Sequence, residues 1–336
     1  MKRVVFSALL VLSAWADSHA AHAASLTLAE NGRSSYSIYL DAAAPSSVKT
    51  AAGELQRVLK VSTGADLPIV NVPKSPVICL GGNAAARDAG VSVEGLAEES
   101  FRIVNKGGNL YIVGKDTPDG ERTAEGGFSR GTQFGVYTSL EKYVGVRWLM
   151  PGEVGEEIPV HERLAIPEMD FTQSPAFLFR QINVGNRTPV VQEWLTRHKV
   201  SGFSTPANTA CSRLVFDTHS WVWYVSEETL KEHPEYRAVR GDRDKYCTTN
   251  PGLVRAFADG VIRWLDEHPD RHMASISSSD GGGFCECDNC RSYTEKDPHG
   301  KISYTPLLLK FYNDVARLVA EKYPDRLLGA YAYYNY

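Results

Sequence analysis

Two hydrophobic periods run along this chain, and they mark out its elements. Val48, Ala52, Leu55, Val58 and Leu59 recur at helical spacing after Pro45-Ser46-Ser47, and Gly64 follows the run, so a helix is predicted there. Short apolar runs predict strands at 34–40, 77–80, 101–104 and 110–113. The last two flank Lys106-Gly107-Gly108-Asn109, a hairpin turn. Thr132 to Val144 places Val136, Leu140 and Tyr143 on one helical face, with Gly145 just past its end. Residues 152–175, rich in Glu and Pro, read as a connector.

Beyond the connector the pattern changes to alternation. Strands are predicted at 177–182, 200–204, 213–218, 273–277 and 327–334, with helices at 190–198, from 251 onward and at 308–319. Asn250 supplies the N-cap and Pro251 the first helical position of the second helix, whose apolar stripe is Leu253, Phe257, Val261, Trp264 and Leu265. Leu308, Phe311, Tyr312, Val315 and Val319 line one side of the third. Such alternation argues for a parallel β/α array. A closed barrel needs eight strands and about 250 residues. The expectation is an α/β chain with three parts: a signal peptide at 1–23, an N-terminal α/β sandwich-like domain at 24–166, and the first half of a (β/α)8 TIM barrel at 167–336, truncated after about five strands. A small open α/β sheet is the alternative.

The signal peptide rests on Lys2 and Arg3, the apolar run Val4 to Ala14, and the small residues of Ala21-His22-Ala23. That run is shorter than the roughly 20 residues a bilayer requires. The protein is therefore expected to be secreted or periplasmic, with no membrane span in its mature form. A net charge of −4 without any basic block gives no case for a nucleic-acid partner. Six Trp and 16 Tyr suit a protein that stacks sugar rings.

In parallel β/α arrays the chemistry lies at the carboxyl ends of the strands. That rule singles out Arg180, His219, Asp280, Tyr333 and Asn335. Asp280 precedes Gly281-Gly282-Gly283, where backbone can approach a ligand closely. Glu286 follows six residues later. Two carboxylates at one cleft are what glycosidic cleavage requires, so Asp280 and Glu286 are the catalytic candidates. His219-Ser220-Trp221-Val222-Trp223-Tyr224 concentrates groups that stack on and hydrogen-bond to sugars, which adds Trp221 and Trp223 as substrate-binding candidates; a buried aromatic cluster is the other reading. Cys285-Glu286-Cys287-Asp288-Asn289-Cys290 brings three thiols together, with Cys247 or Cys211 as a fourth. Close thiolates suit a structural zinc, whereas an exported chain favours disulfides, and the spacing leaves both open. No cofactor is required by the proposed chemistry. Cys79 sits in an apolar strand and reads as a buried free thiol.

On these residues the chain resembles the family known as domain of unknown function 4838, related to glycoside hydrolase families 20 and 67. Gly135-Val136-Tyr137 and Gly145-Val146-Arg147-Trp148-Leu149-Met150-Pro151-Gly152 look like the α/β domain that precedes the barrel in α-glucuronidases and β-hexosaminidases. Cys247-Thr248-Thr249-Asn250-Pro251 and Asp280-Gly281-Gly282-Gly283-Phe284-Cys285-Glu286-Cys287 are the most specific matches. The resemblance implies that Asp280 takes the place of the aspartate that orients the substrate's acetamido group. Gly281 stands where hexosaminidases carry the general-acid glutamate. Arg180 falls near an arginine that binds sugar hydroxyls, His219 near a histidine of the third strand, and Asn250 at the matched helix start. The expected activity is that of an exported glycoside hydrolase acting on an oligo- or polysaccharide. The alternatives are a non-catalytic carbohydrate-binding protein on a degenerate barrel and, third, a metal-dependent hydrolase using the cysteines.

Overall fold

A computed structural model of the chain describes residues 25–177, 179–180, 182, 188–200 and 217–333. The strands expected at 200–204 and 213–218 fall almost wholly outside those residues, as do the signal peptide, Cys211 and Asn335.

The N-terminal strands are β1 (Leu26–Glu30), β2 (Ser37–Leu40), β3 (Ile69–Val70), β4 (Val77–Leu80), β5 (Phe101–Lys106), β6 (Asn109–Gly114), β7 (Arg147–Trp148), β8 (Glu156–Glu157), β9 (Arg163–Ile166) and β10 (Asp170–Gln173). They are interleaved with helices α1 (Ser46–Thr63), α2 (Ala84–Asp88) and α3 (Gly131–Ser139). Six of the strands form one mixed sheet in the order β10-β5-β6-β4-β2-β3. Its strands alternate faces with period two. Ile38, Leu40, Ile78, Leu80, Ile103 and Ile112 point into the core shared with α1 and α3, while Tyr39, Val77, Cys79, Val104, Tyr111 and Val113 pack with Ala86 of α2. Helix α3 lies close on the sheet because Gly135 carries no Cβ; one placed there would stand 2.7 Å from Ile112 Cγ2.

The connector expected at 152–175 is instead part of this architecture. Strand β9 pairs antiparallel with β1, and β10 completes the six-stranded sheet against β5. Glu and Pro obscured a short alternation, since Leu164 and Ile166 face the core while Arg163 and Ala165 face out. The helix expected to run from 132 to 144 is α only to Ser139 and closes with a π-helical turn at Leu140–Val144.

The remaining helices are α4 (Pro189–Arg197), α5 (Trp221–Tyr224), α6 (Glu227–Glu232), α7 (Pro251–Glu267), α8 (Asp288–Arg291) and α9 (Thr305–Ala320); the strands are β11 (Met273–Ser275), β12 (Glu295–Lys296), β13 (Ile302–Ser303) and β14 (Leu327–Gly329). Strands β11 and β14 pair in parallel, with α9 in the connection between them, and His219 adds a parallel bridge to Ser277. Among the described residues after α4 the parallel array is this three-position arc, and the chain as described is mixed α/β. The strand expected at 177–182 is irregular wherever it is described. Asn250 caps α7 by accepting from the Gly252 and Leu253 amides at 2.8 and 3.2 Å. Among the described residues, no helix is long and apolar enough to cross a membrane.

The second core forms around Trp221, which is 1% exposed. Its ring stacks on Tyr246 and meets Phe257 of α7 and Phe311 of α9 edge-on. Its indole N–H donates to the Ile276 carbonyl at 2.7 Å, just past β11. Trp221→Ala should therefore lower the unfolding free energy by about 4 kcal/mol in urea titrations, through lost burial and a cavity. A loss below about 1 kcal/mol would mean that the core does not depend on this ring.

Candidate functional site

The parallel positions end in a polar cluster. The Asp217 carboxylate accepts from the Ser277 hydroxyl at 2.8 Å and from the Ser275 hydroxyl. The Tyr331 amide donates to Ser277 Oγ at 2.8 Å, and the Tyr331 hydroxyl donates to the Asp217 carbonyl at 3.1 Å. The 217–219 segment and the segments after β11 and β14 are thus tied together beyond the ladder itself. His219 stands over this network, with its ring edge-on to Tyr331 at 5.3 Å.

The His219 ring lies between two oxygen acceptors. Its Nδ1 bonds the Ser278 carbonyl, which fixes a proton on that nitrogen. Its Nε2 lies 3.3 Å from Asp280 Oδ1. A hydrogen bond there needs a second proton, on the imidazole or on the carboxyl group. The two side chains thus form a pair able to hold and pass a proton at the strand ends. The Asp280 side chain is 72% exposed and so accessible to a ligand.

The loop that carries Asp280 is held from beneath by Lys245, a fully buried residue. Its ammonium donates to Ser279 O at 2.5 Å, Ser279 Oγ at 2.6 Å and Asp280 O at 3.3 Å, and it lies 4.9 Å from the Phe284 ring centroid. Burial pulls the Lys245 pKa down, and the negative charges of Asp244, Asp242 and Asp280 oppose that shift. Further along the loop, the Gly283 carbonyl accepts from the Asp242 amide at 2.8 Å. Gly283 has a φ of +69°, and a Cβ there would stand 2.2 Å from Asp242 Oδ2. Gly283 is therefore needed for its close approach to the Asp242 carboxylate and Gly281 for its φ of +80°, whereas Gly282 faces open space.

The other sequence candidates divide. Glu286 is not gathered into the His219–Asp280 pair; its carboxylate is bonded by Arg291 at 2.9 Å and lies 3.7 Å from Arg240. Arg180 bonds Glu99 at 2.7 Å and the carbonyls of Lys199 and Phe177, so it ties the segment after the N-terminal sheet back to that sheet. Trp221 is a core residue and Asn250 a helix cap. Trp223 and Tyr333 are each 46% exposed. Lys245, Asp217 and Tyr331 were missed by sequence reasoning. Period two was the available signal for two of them, since Asp217 is two residues before His219 and Tyr331 two before Tyr333.

The cysteines make a second cluster directly after the Asp280 loop. The sulfurs of Cys247, Cys285, Cys287 and Cys290 all lie within 4.8 Å of one another. Cys247 Sγ is 3.7 Å from that of Cys287 and 3.9 Å from that of Cys290. These cysteines and Cys79 are free thiols. Hydrogen bonds from Cys247 and Thr249 hold the Cys290 thiol well below its ordinary value, at about 4; the same contact drives Cys247 far upward, and burial pushes Cys285 up to about 11. A separate cleft of about 430 Å3, lined by Ser46, Thr50, Asp119, Arg130 and Glu193 among others, opens between the N-terminal unit and α4.

Strands in parallel, with a carboxylate–imidazole pair at their carboxyl ends, define a mixed α/β protein whose candidate site lies where β/α arrays carry theirs. The chain belongs to the family described as domain of unknown function DUF4838, whose model matches residues 150–336, more than half of its length. No curated protein matches it in sequence. Solved structures with partial similarity include a family GH115 4-O-methyl-α-glucuronidase with specificity for decorated arabinogalactans, at 13% identity and TM-score 0.44, covering 90% of this chain and 42% of that one. A Streptomyces plicatus β-hexosaminidase gives 11% identity and TM-score 0.38 over 92% of this chain and 63% of its own. A Vibrio harveyi family GH20 exo-β-N-acetylglucosaminidase gives 14% and 0.36 over 91% and 52%. The chain thus spans between 42% and 63% of the length of these three proteins.

Lys245→Met would leave the Ser279 and Asp280 carbonyls without their buried donor. It should lower the unfolding free energy by about 3 kcal/mol in urea titrations. A loss of less than about 1 kcal/mol would show that the loop is held without this ammonium.

Proposed function

We propose that this chain belongs to an exported glycoside hydrolase, with Asp280 as its catalytic or substrate-orienting carboxylate. The observation that carries the reading is the exposed Asp280 carboxylate paired with His219 Nε2 at the ends of parallel strands. In this reading the signal peptide at 1–23 directs export, residues 24–166 form the leading α/β domain, and residues 167–336 contribute the first part of a (β/α)8 barrel. The substrate is an oligo- or polysaccharide whose scissile sugar lies over the strand ends. His219 orients the Asp280 carboxyl group and supplies or accepts its proton, while Trp223, 46% exposed, would stack on a sugar face. Asp280 acts on the developing positive charge or on the group beside it; Glu286, the other carboxylate candidate, is ion-paired with Arg291 and Arg240.

Gly281 in place of a general acid favours the second reading, a carbohydrate-binding protein without cleavage. A glycan panel separates the two. In the enzyme, full-length Asp280→Asn should release product at least a hundredfold more slowly than the unsubstituted protein, at the low end of what positioned acid–base groups contribute. Product release at an unchanged rate would remove Asp280 from the mechanism. Saturable glycan binding without any cleavage by the unsubstituted protein would establish the binding module instead.

A further inference from the structure

We propose that Cys247, Cys285, Cys287 and Cys290 bind one structural zinc ion, which locks the loop after Asp280 to the segment before α7. Four ligand atoms within 4.8 Å of one another fit around a single ion. A tetrahedron with zinc–sulfur bonds of about 2.3 Å has edges of about 3.8 Å. The measured separations of 3.7 and 3.9 Å from Cys247 match those edges. A disulfide would require about 2.05 Å.

The surroundings suit thiolates. The Val239 amide donates to Cys285 Sγ at 3.3 Å, and the Cys290 amide donates to Cys287 Sγ at 3.4 Å. Thr249 Oγ1 lies 3.1 Å from Cys290 Sγ. N–H···S and O–H···S contacts of this kind stabilise sulfur that carries negative charge and orient it toward a metal. Leu307, Ala238 and Tyr304 pack around the sulfurs, so the site is shielded on its inner side. Four protein thiolates fill a tetrahedral ion completely and leave no position for water or substrate, which is the pattern of a structural site and not a hydrolytic one.

The ion would act as a cross-link between two stretches of chain. Cys247 comes from the segment before α7, Cys285 and Cys287 come from the loop after β11, and Cys290 comes from α8 at the end of that loop. Lys245 and Cys247 are two residues apart, so the buried ammonium and the proposed ion fasten the same two segments on either side of Gly283. Zinc occupancy is independent of the glycosidase reading: a protein that cleaves no glycan would still carry the ion.

Metal analysis of the purified full-length protein should give one zinc per chain. A thiol-specific mercurial should release that zinc in step with reaction of the four cysteines. Alkylation under denaturing conditions without reductant, followed by peptide mapping, should find all four modified. Cys287→Ala and Cys290→Ala should each reduce the zinc content at least tenfold, while Cys79→Ala should leave it unchanged. Should those variants fail to fold, the metal content and peptide map of the unsubstituted protein decide the question alone. Disulfide-linked peptides among these cysteines, iron in place of zinc, or unsubstituted protein that is folded and carries no metal would overturn the assignment.

Discussion

The Lys245 ammonium is fully buried, and its hydrogen bonds to the Ser279 and Asp280 carbonyls fix where the strand-end loop runs. A buried charge costs several kcal/mol unless its donors are satisfied. The chain meets that cost by folding two polar carbonyls and a hydroxyl back over the lysine. This places Asp280 over His219 while leaving its carboxylate exposed. The same constraint explains the loop's composition. Phe284 closes over the ammonium, and Gly283 lets the backbone pass against Asp242.

A second set of buried charges joins the described part of the chain before α5 into one piece. Arg197 of α4 bonds Glu54 of α1 at 2.7 Å and lies 3.8 Å from Glu156, to which Arg57 is also paired. The Trp194 indole and the His198 ring both reach the Trp148 carbonyl. Helix α4 is therefore an extension of the N-terminal unit as much as the start of the β/α region. Arg180 follows the same pattern, since Glu99 takes its guanidinium.

Long periodic elements were legible in the sequence for a physical reason. Helices α1, α7 and α9 each bury a continuous stripe, and Gly64, Asn250 and Pro251 mark their ends as backbone chemistry requires. Strands β9 and β10 were not legible, because each is four residues long and gains its stability from partners more than a hundred residues or some sixty residues away, and β8 is only two residues long. The site divides in the same way. Asp280 and His219 follow from the rule that places chemistry at strand ends. Glu286 and Arg180 looked equally suitable as isolated residues, and only the positions of Arg291, Arg240 and Glu99 show where their charges are used. The cysteine motif was visible, but its choice between metal and disulfide depends on distances between sulfurs contributed by two separate segments.

The proposed function makes the His219–Asp280 pair a sugar-binding centre. A crystal structure of the full-length protein with an iminosugar, whose ring nitrogen mimics the positive charge of a glycosidic transition state, tests it directly. The ring nitrogen is expected in hydrogen-bonding contact with the Asp280 carboxylate, beside His219. An iminosugar seated instead in the cleft beside Arg130 and Asp119, with the strand ends unoccupied, would contradict it.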